Sequence, residues 1–316
     1  MIINFVGNFQ KGYVGEEADQ VHLAREMEAL GHTVRCIPQD EWREHVIDGK
    51  DYPHVPKDMT ADINIITKWH HFYDGSFVIK LREASKAPVF YWVWDYMEDN
   101  GIPDWHTLMA KCADLYLTNE LGIRDIYKTH GVKNLYYFPF DVADGDLPLF
   151  QNKEKLYDVV FFGSHLGQGD RIDWLTEINQ MHKVKIFSWN YQEWVDRGFD
   201  AEPAVYGVAF MEKVAQSKII LGFSVNAHTW GYWSNRVGKV LLAGGFLLYQ
   251  YAPGMELFLR DGVEYFSSIE EATDKIAYYL RKERERERIA DRGLIIGRDR
   301  FTSKARVIDL MILIER

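Results

Sequence analysis

The chain has 316 residues, 47% of them hydrophobic, and a formal net charge of −10 from 47 acidic and 37 basic side chains. That length supports two domains of ordinary size, each with its own core, and the acidic balance disfavours a general binder of nucleic acid or anionic membrane. The two cysteines, Cys36 and Cys112, exclude a disulfide framework and predict a reducing, cytoplasmic setting in which both act as small buried hydrophobes.

The opening MIINFVGNF lacks the basic flank of a signal peptide. No stretch approaches the roughly 18 apolar residues that would span a bilayer. An apolar strand is predicted over 2–6, with one polar break, and a helix over 19–30 with Val21, Leu23, Ala24, Met27 and Leu30 on one face, ended by Gly31. Strands follow at 33–37, 62–67, 88–94, 115–118 and 135–138, separated by helices at 76–85, 103–112 and 122–130. Short buried strands alternating with helices call for a parallel sheet covered on both faces.

The pattern stops at DVADGDLPLFQNKEK, residues 141–155, which reads as a linker. A second series then starts: strands at 158–163, 184–187, 219–223 and 246–250, with helices at 170–181, 208–216, 235–242, 269–280, 282–292 and 304–314. The expected architecture is α/β: a Rossmann-like domain over 1–140 and a second over 156–316, their parallel sheets facing a central cleft. The last helix can pack back on the first domain. The alternating charges KERERER at 282–288 read as a solvated helix laced by i,i+4 pairs rather than a nucleic-acid patch.

Five constellations could carry chemistry. In FVGNFQKGYVGEE (5–17) the glycines Gly7, Gly12 and Gly15 do not have the G-x-G-x-x-G spacing of a dinucleotide site, so no nicotinamide cofactor is expected. Gly12 remains a position where backbone can approach an acceptor. TKWHHFYDG (67–75) follows a strand directly, and the carboxyl ends of parallel strands line the ligand crevice. Lys68 and Trp69 are therefore acceptor-side candidates, and His70 and His71 are candidate bases. No third metal ligand lies near the histidines, so no metal is predicted. Asp95, at the end of the apolar run YWVW, is a rival base for an acceptor hydroxyl.

In FFGSHLGQGDR (161–171) the small residues Gly163 and Ser164 free backbone N–H groups, and Arg171 is a phosphate candidate. SNRVGKVLLAGGFLLYQYAPGMELFLRDG (234–262) is the most informative stretch. A basic residue heads a helix, a Gly-Gly turn precedes a buried strand, and a Pro-Gly loop opens a second helix. This suits a nucleotide diphosphate. Arg236 can hold phosphate in a bidentate fork, and Lys239 falls on the same helix face three residues on.

At these residues the C-terminal half resembles the glycosyl-transferase group 1 domain of spore-maturation (spore-coat) glycosyltransferases, which have the GT-B fold. Arg236, Gly244–Gly245, Pro253–Gly254, Glu256, Phe258 and Gly262 match that family's pattern. VVFFGS at 159–164 and LTNELGIRDIYKTHGVKNLYYFPF at 117–140 resemble its domain-joining region. The resemblance implies an enzyme that moves a sugar from a nucleotide-diphosphate sugar such as a UDP-sugar to an acceptor hydroxyl, with the donor as co-substrate and no further cofactor. Together with the reading of the residues, this makes Gly163, Ser164, Arg171, Arg236, Lys239, Gly254, Met255 and Glu256 the donor-binding candidates. Family members commonly carry an acid where this chain has Lys239; lysine cannot accept ribose hydroxyl hydrogens but can neutralise phosphate. A glycan, a protein, a metabolite or a hydroxymethylated DNA base, as for a phage enzyme, all remain acceptors. A degenerate, non-catalytic nucleotide- or glycan-binding module is the rival class.

Overall fold

The structure, a computed structural model, describes residues 1–9, 19–38, 43–47, 50–53, 55–67, 74–94, 102, 104–139, 149–150, 153–164 and 171–315. The chain divides into two compact units, Met1–Phe140 and Asp141–Arg316.

The first unit runs β1 (Ile2–Gly7), α1 (Asp19–Ala29), β2 (Thr33–Pro38), β3 (Arg43–Ile47), β4 (Lys50–Pro53), β5 (Ile63–Thr67), α2 (Gly75–Ser85), β6 (Val89–Val93), α3 (Asp104–Cys112), β7 (Leu115–Thr118), α4 (Arg124–Thr129) and β8 (Leu135–Tyr137). Its six-stranded sheet has the order β2-β1-β5-β6-β7-β8, and every pairing is parallel. The polar break in β1 is Asn4, whose amide donates to Asn64 Oδ1 on β5 at 2.9 Å. Asn64 in turn donates to Ser85 Oγ at 2.8 Å, so these buried amides tie two strands and a helix together.

The floor of this unit is a polar knot inside an apolar core. His106 on α3 is fully buried. Its Nδ1 meets the Tyr91 hydroxyl at 2.7 Å, and its Nε2 meets the Tyr127 hydroxyl at 2.7 Å. Tyr116 donates to Tyr127 at 2.9 Å. Burial pulls the imidazole down to about 3, so it is neutral here and its two nitrogens serve one as donor and one as acceptor.

The second unit runs β9 (Tyr157–Phe162), α5 (Arg171–Met181), β10 (Val184–Ser188), α6 (Tyr191–Asp196), β11 (Asp200–Pro203), α7 (Gly207–Ala215), β12 (Ser217–Gly222), α8 (Arg236–Leu242), β13 (Leu247–Gln250), α9 (Met255–Leu259), β14 (Glu264–Phe266), α10 (Ile269–Arg281), α11 (Glu283–Arg300) and α12 (Ser303–Ile314). Its sheet, again six-stranded and parallel throughout, has the order β11-β10-β9-β12-β13-β14. Chain direction across the sheet reverses between β9 and β12, the topological switch point where open α/β sheets bind ligands at the carboxyl ends of their strands. The apolar cores on the two faces of this sheet alternate along β9: Val160 and Phe162 face one side, Val159 and Phe161 the other.

Several expectations need correction. The β3–β4 antiparallel hairpin, α6, β11 and β14 were not predicted, because each is short and lacks a clear apolar period. Cys36 is exposed: β2 is the edge strand, where Arg35 and Cys36 are exposed while Ile37 is buried in the core. Cys112 is half-buried. The charged run at 282–288 is not wholly solvated. Arg286 is buried, with its guanidinium donating to the carbonyl oxygens of Tyr279 and Leu280 at the end of α10. The Tyr279 carbonyl also accepts from Lys282 N at 3.2 Å, so Arg286 adds a charged donor to a helix end that already has a backbone cap. Finally, α11 approaches closely through small residues: a Cβ on Gly293 would lie 2.7 Å from Gly262 O and 2.8 Å from Leu241 Cδ2.

Candidate functional site

β9 ends in Gly163 and Ser164 beside the switch point. Gly163 N donates to Phe187 O on β10 at 3.0 Å. A Cβ at Gly163 would meet the Phe161 ring at 2.7 Å and would stand 3.4 Å from Arg236 Nη1. Glycine here lets the guanidinium of Arg236 come down onto the end of β9.

Arg171, the first residue of α5, reaches the same place. Its Nη1 donates to Ser164 O at 3.2 Å, and its guanidinium lies 5.9 Å from the centre of the Phe161 ring, a cation–π contact. Both arginines are largely enclosed by protein yet keep part of their surface open to solvent. Burial lowers the proton affinity of each guanidinium, and the charge of Arg236 lowers that of Arg171 further. The groups that oppose this around Arg236 are phenols: Tyr249, Tyr232 and Tyr206. Among the described residues neither arginine forms an ion pair with a carboxylate, and Arg171 Nε is a buried donor without a partner. Two cations held together without counter-charge form a site that an anion completes.

The loop between β12 and α8 supplies the frame. Tyr249 on β13 is buried and accepts from Ser234 N at 3.1 Å. Gly222 makes room for its ring, since a Cβ there would lie 2.1 Å from Tyr249 Cδ2. Ser234 Oγ accepts from Arg236 N at 3.3 Å. The Pro-Gly loop is tied to the same frame by Gly231 N, which donates to Pro253 O at 2.9 Å. Gly254 has φ +90° and packs on Trp230, where a Cβ would fall 2.7 Å from the indole. Two independent constraints thus demand glycine there.

The structure therefore brings Gly163, Ser164, Arg171 and Arg236 to one place. Lys239 is half-buried one turn further along α8. Met255 is fully buried and belongs to the apolar core beneath the Pro-Gly loop. Glu256 is exposed; desolvation first, and then the Glu256 carboxylate accepting from it, raise the Tyr251 phenol's affinity for its proton. α8 has seven residues and α9 five, too short for helix ends to dominate the field, so the guanidinium charges carry it. Gly12, Lys68, Trp69, His70, His71 and Asp95 lie outside the described residues. The tyrosines around Arg236 went unnoticed in the sequence; only their recurrence near turns, at 206, 232 and 249, could have drawn attention to them. Among the described residues no group of three His, Cys, Asp or Glu side chains could hold a metal, and no described helix is long and apolar enough to cross a membrane.

Residues 170–312 match the family model described as "Glycosyl transferase-like". No curated protein matches the chain in sequence. In three dimensions the chain is similar to sucrose-phosphate synthase from Thermosynechococcus elongatus, at 9% identity and TM-score 0.67, covering 99% of this chain and 98% of that one. It is similar to Anabaena HepE in complex with UDP and glucose, at 12% identity and TM-score 0.66, covering 100% and 99%. It is also similar to an α-glucosyltransferase in complex with UDP and a 13-mer DNA containing a HMU base, at 10% identity and TM-score 0.63, covering 100% of both. The expected GT-B fold and glycosyltransferase class are borne out: the chain carries a glycosyl transferase-like domain over residues 170–312 within a GT-B fold.

Proposed function

We propose that the chain transfers a sugar from a nucleoside-diphosphate sugar to an acceptor hydroxyl, with Arg171 and Arg236 gripping the diphosphate. The observation that carries this reading is the pair of enclosed guanidinium groups, without a carboxylate among the described residues, at the switch point beside Gly163. Negative charge develops on the diphosphate as the sugar–oxygen bond breaks. Two fixed cations stabilise that charge without the reorganisation that water would need, and so take the role a metal ion plays elsewhere. The resemblance of 234–262 to spore-maturation enzymes is the reason to place the chain in that subtype. Structures similar to this chain hold UDP with glucose, or UDP with DNA, and a UDP-sugar is the first donor to try. The base that takes the acceptor proton is proposed among Asp95, His70 and His71. The acceptor is a glycan, protein, metabolite or modified DNA base, and the setting is cytoplasmic.

A panel of UDP-, GDP-, CDP- and TDP-sugars read by thermal shift identifies the donor, because a ligand at about 100 times its Kd adds about 2.7 kcal/mol of stability. Arg236→Ala should abolish that shift, and unchanged affinity for every nucleoside diphosphate would remove the assignment. Release of nucleoside diphosphate from the sugar nucleotide separates an enzyme from a degenerate binding module, which releases none.

A further inference from the structure

Among the described tryptophans only Trp189 is exposed, with 61% of its surface in water. It occupies the turn between β10 and α6. Its neighbours on both sides are buried: the Ser188 hydroxyl donates to Asn190 Oδ1 at 2.5 Å, and Asn190 N returns a bond to Ser188 Oγ at 3.4 Å. Glu193 N donates to Asn190 O at 3.1 Å, which fixes the start of α6. A large aromatic ring is thus carried into water on a pinned turn, where it gains little from folding.

The register says what lies beside it. Phe187 on β10 pairs with Phe162 on β9, so continuing along the strands sets Trp189 level with Ser164. The spacing between neighbouring strands is about 4.8 Å. On the other flank Ser188 pairs with Pro203, and the chain leaving β11 leads to Tyr206, one of the phenols that Arg236 senses. Position 189, in the turn just past β10, therefore lies near the carboxyl edge one strand across from the Ser164 carbonyl that Arg171 holds. In a nucleotide one ribose separates diphosphate from base, so a base whose diphosphate sat at the guanidinium pair could reach this edge.

We propose that Trp189 is the platform on which the heteroaromatic base of the nucleotide stacks. The inference rests on the diphosphate reading above. It divides the site in two: the arginines hold the diphosphate whatever the base, and Trp189 holds the base. A ring fixed before binding loses little freedom when a base is laid on it, which favours affinity.

The test is calorimetric titration of the full chain, as wild type, Trp189→Ala and Trp189→Phe, with UDP, GDP and inorganic pyrophosphate. Trp189→Ala should weaken both nucleoside diphosphates about tenfold or more, as loss of a base–aromatic stack does, and leave pyrophosphate affinity unchanged. Trp189→Phe should retain most of the nucleotide affinity. Wild-type nucleotide affinity in Trp189→Ala, or an equal loss for pyrophosphate, overturns this inference and leaves the diphosphate reading standing. A wild-type protein that binds neither nucleoside diphosphate overturns both. Because Trp189 is a surface residue, equal thermal midpoints for the three ligand-free proteins confirm that the comparison is between folded states.

Discussion

Arg171 and Arg236 stand side by side at the end of β9, and the positive charge of Arg236 lowers the proton affinity of Arg171. Neither finds a carboxylate among the described residues, so the protein holds a repulsion that a bound anion would relieve. Replacing Arg171 with Met should raise the ligand-free unfolding midpoint, because a partly desolvated cation is removed. The same change should weaken nucleoside diphosphate binding by about 10- to 100-fold, the scale of a lost charge-assisted hydrogen bond. Thermal melts and calorimetry on one preparation check both. A variant that loses stability and keeps affinity would contradict the arrangement.

His106 gives a pH prediction. Its folded value of about 3 lies below the ordinary 6.5, so the fold binds the neutral ring. The stability it contributes is fully present above pH 6.5. As pH falls from there toward 3 the unfolded chain takes up a proton that the fold refuses, and stability declines by at most about 1.4 kcal/mol per pH unit. Urea midpoints at pH 7 and pH 5 should therefore differ more for the wild type than for His106→Gln. Equal pH slopes would show that His106 does not control this window.

Arg286 separates a structural charge from a solvated one. Arg286→Ala should cost about 1–3 kcal/mol, because the carbonyls of Tyr279 and Leu280 lose a buried charged donor. Arg284→Ala, two residues away and exposed, should change stability by less than about 0.5 kcal/mol. Chemical denaturation of the two variants decides this.

The seam between α11 and the Gly262 turn is too close for a side chain. Gly293→Ala would place a methyl group against Gly262 O and Leu241 Cδ2, and the backbone must move, at a cost of about 1–3 kcal/mol. Gly198→Ala has nothing within 4 Å to meet, yet Gly198 has φ +85°, so it should cost only the smaller left-handed penalty of about 1 kcal/mol. The ordering of the two midpoints is the readout.

Much of this molecule was legible in its sequence, for local reasons. An uninterrupted apolar run such as that of β6 is buried on both faces in a parallel sheet, so the α/β class and the alternation of strand and helix followed from period and length. The choice of Gly163, Arg171 and Arg236 as candidate phosphate ligands followed from residue type and position after a strand or at a helix start, and the fold brings the three together. Tertiary structure decided what depends on neighbours distant in sequence. The order β11-β10-β9-β12 brings the end of β9 to the switch point. The fold also turns Cys36 outward on an edge, sinks Arg286 beneath a helix end, and leaves Trp189 in water on the turn after β10. Periodicity reports which face of one element is apolar; strand order, register and the burial of single charges arise only when elements meet, because those energies belong to pairs of surfaces and not to either one.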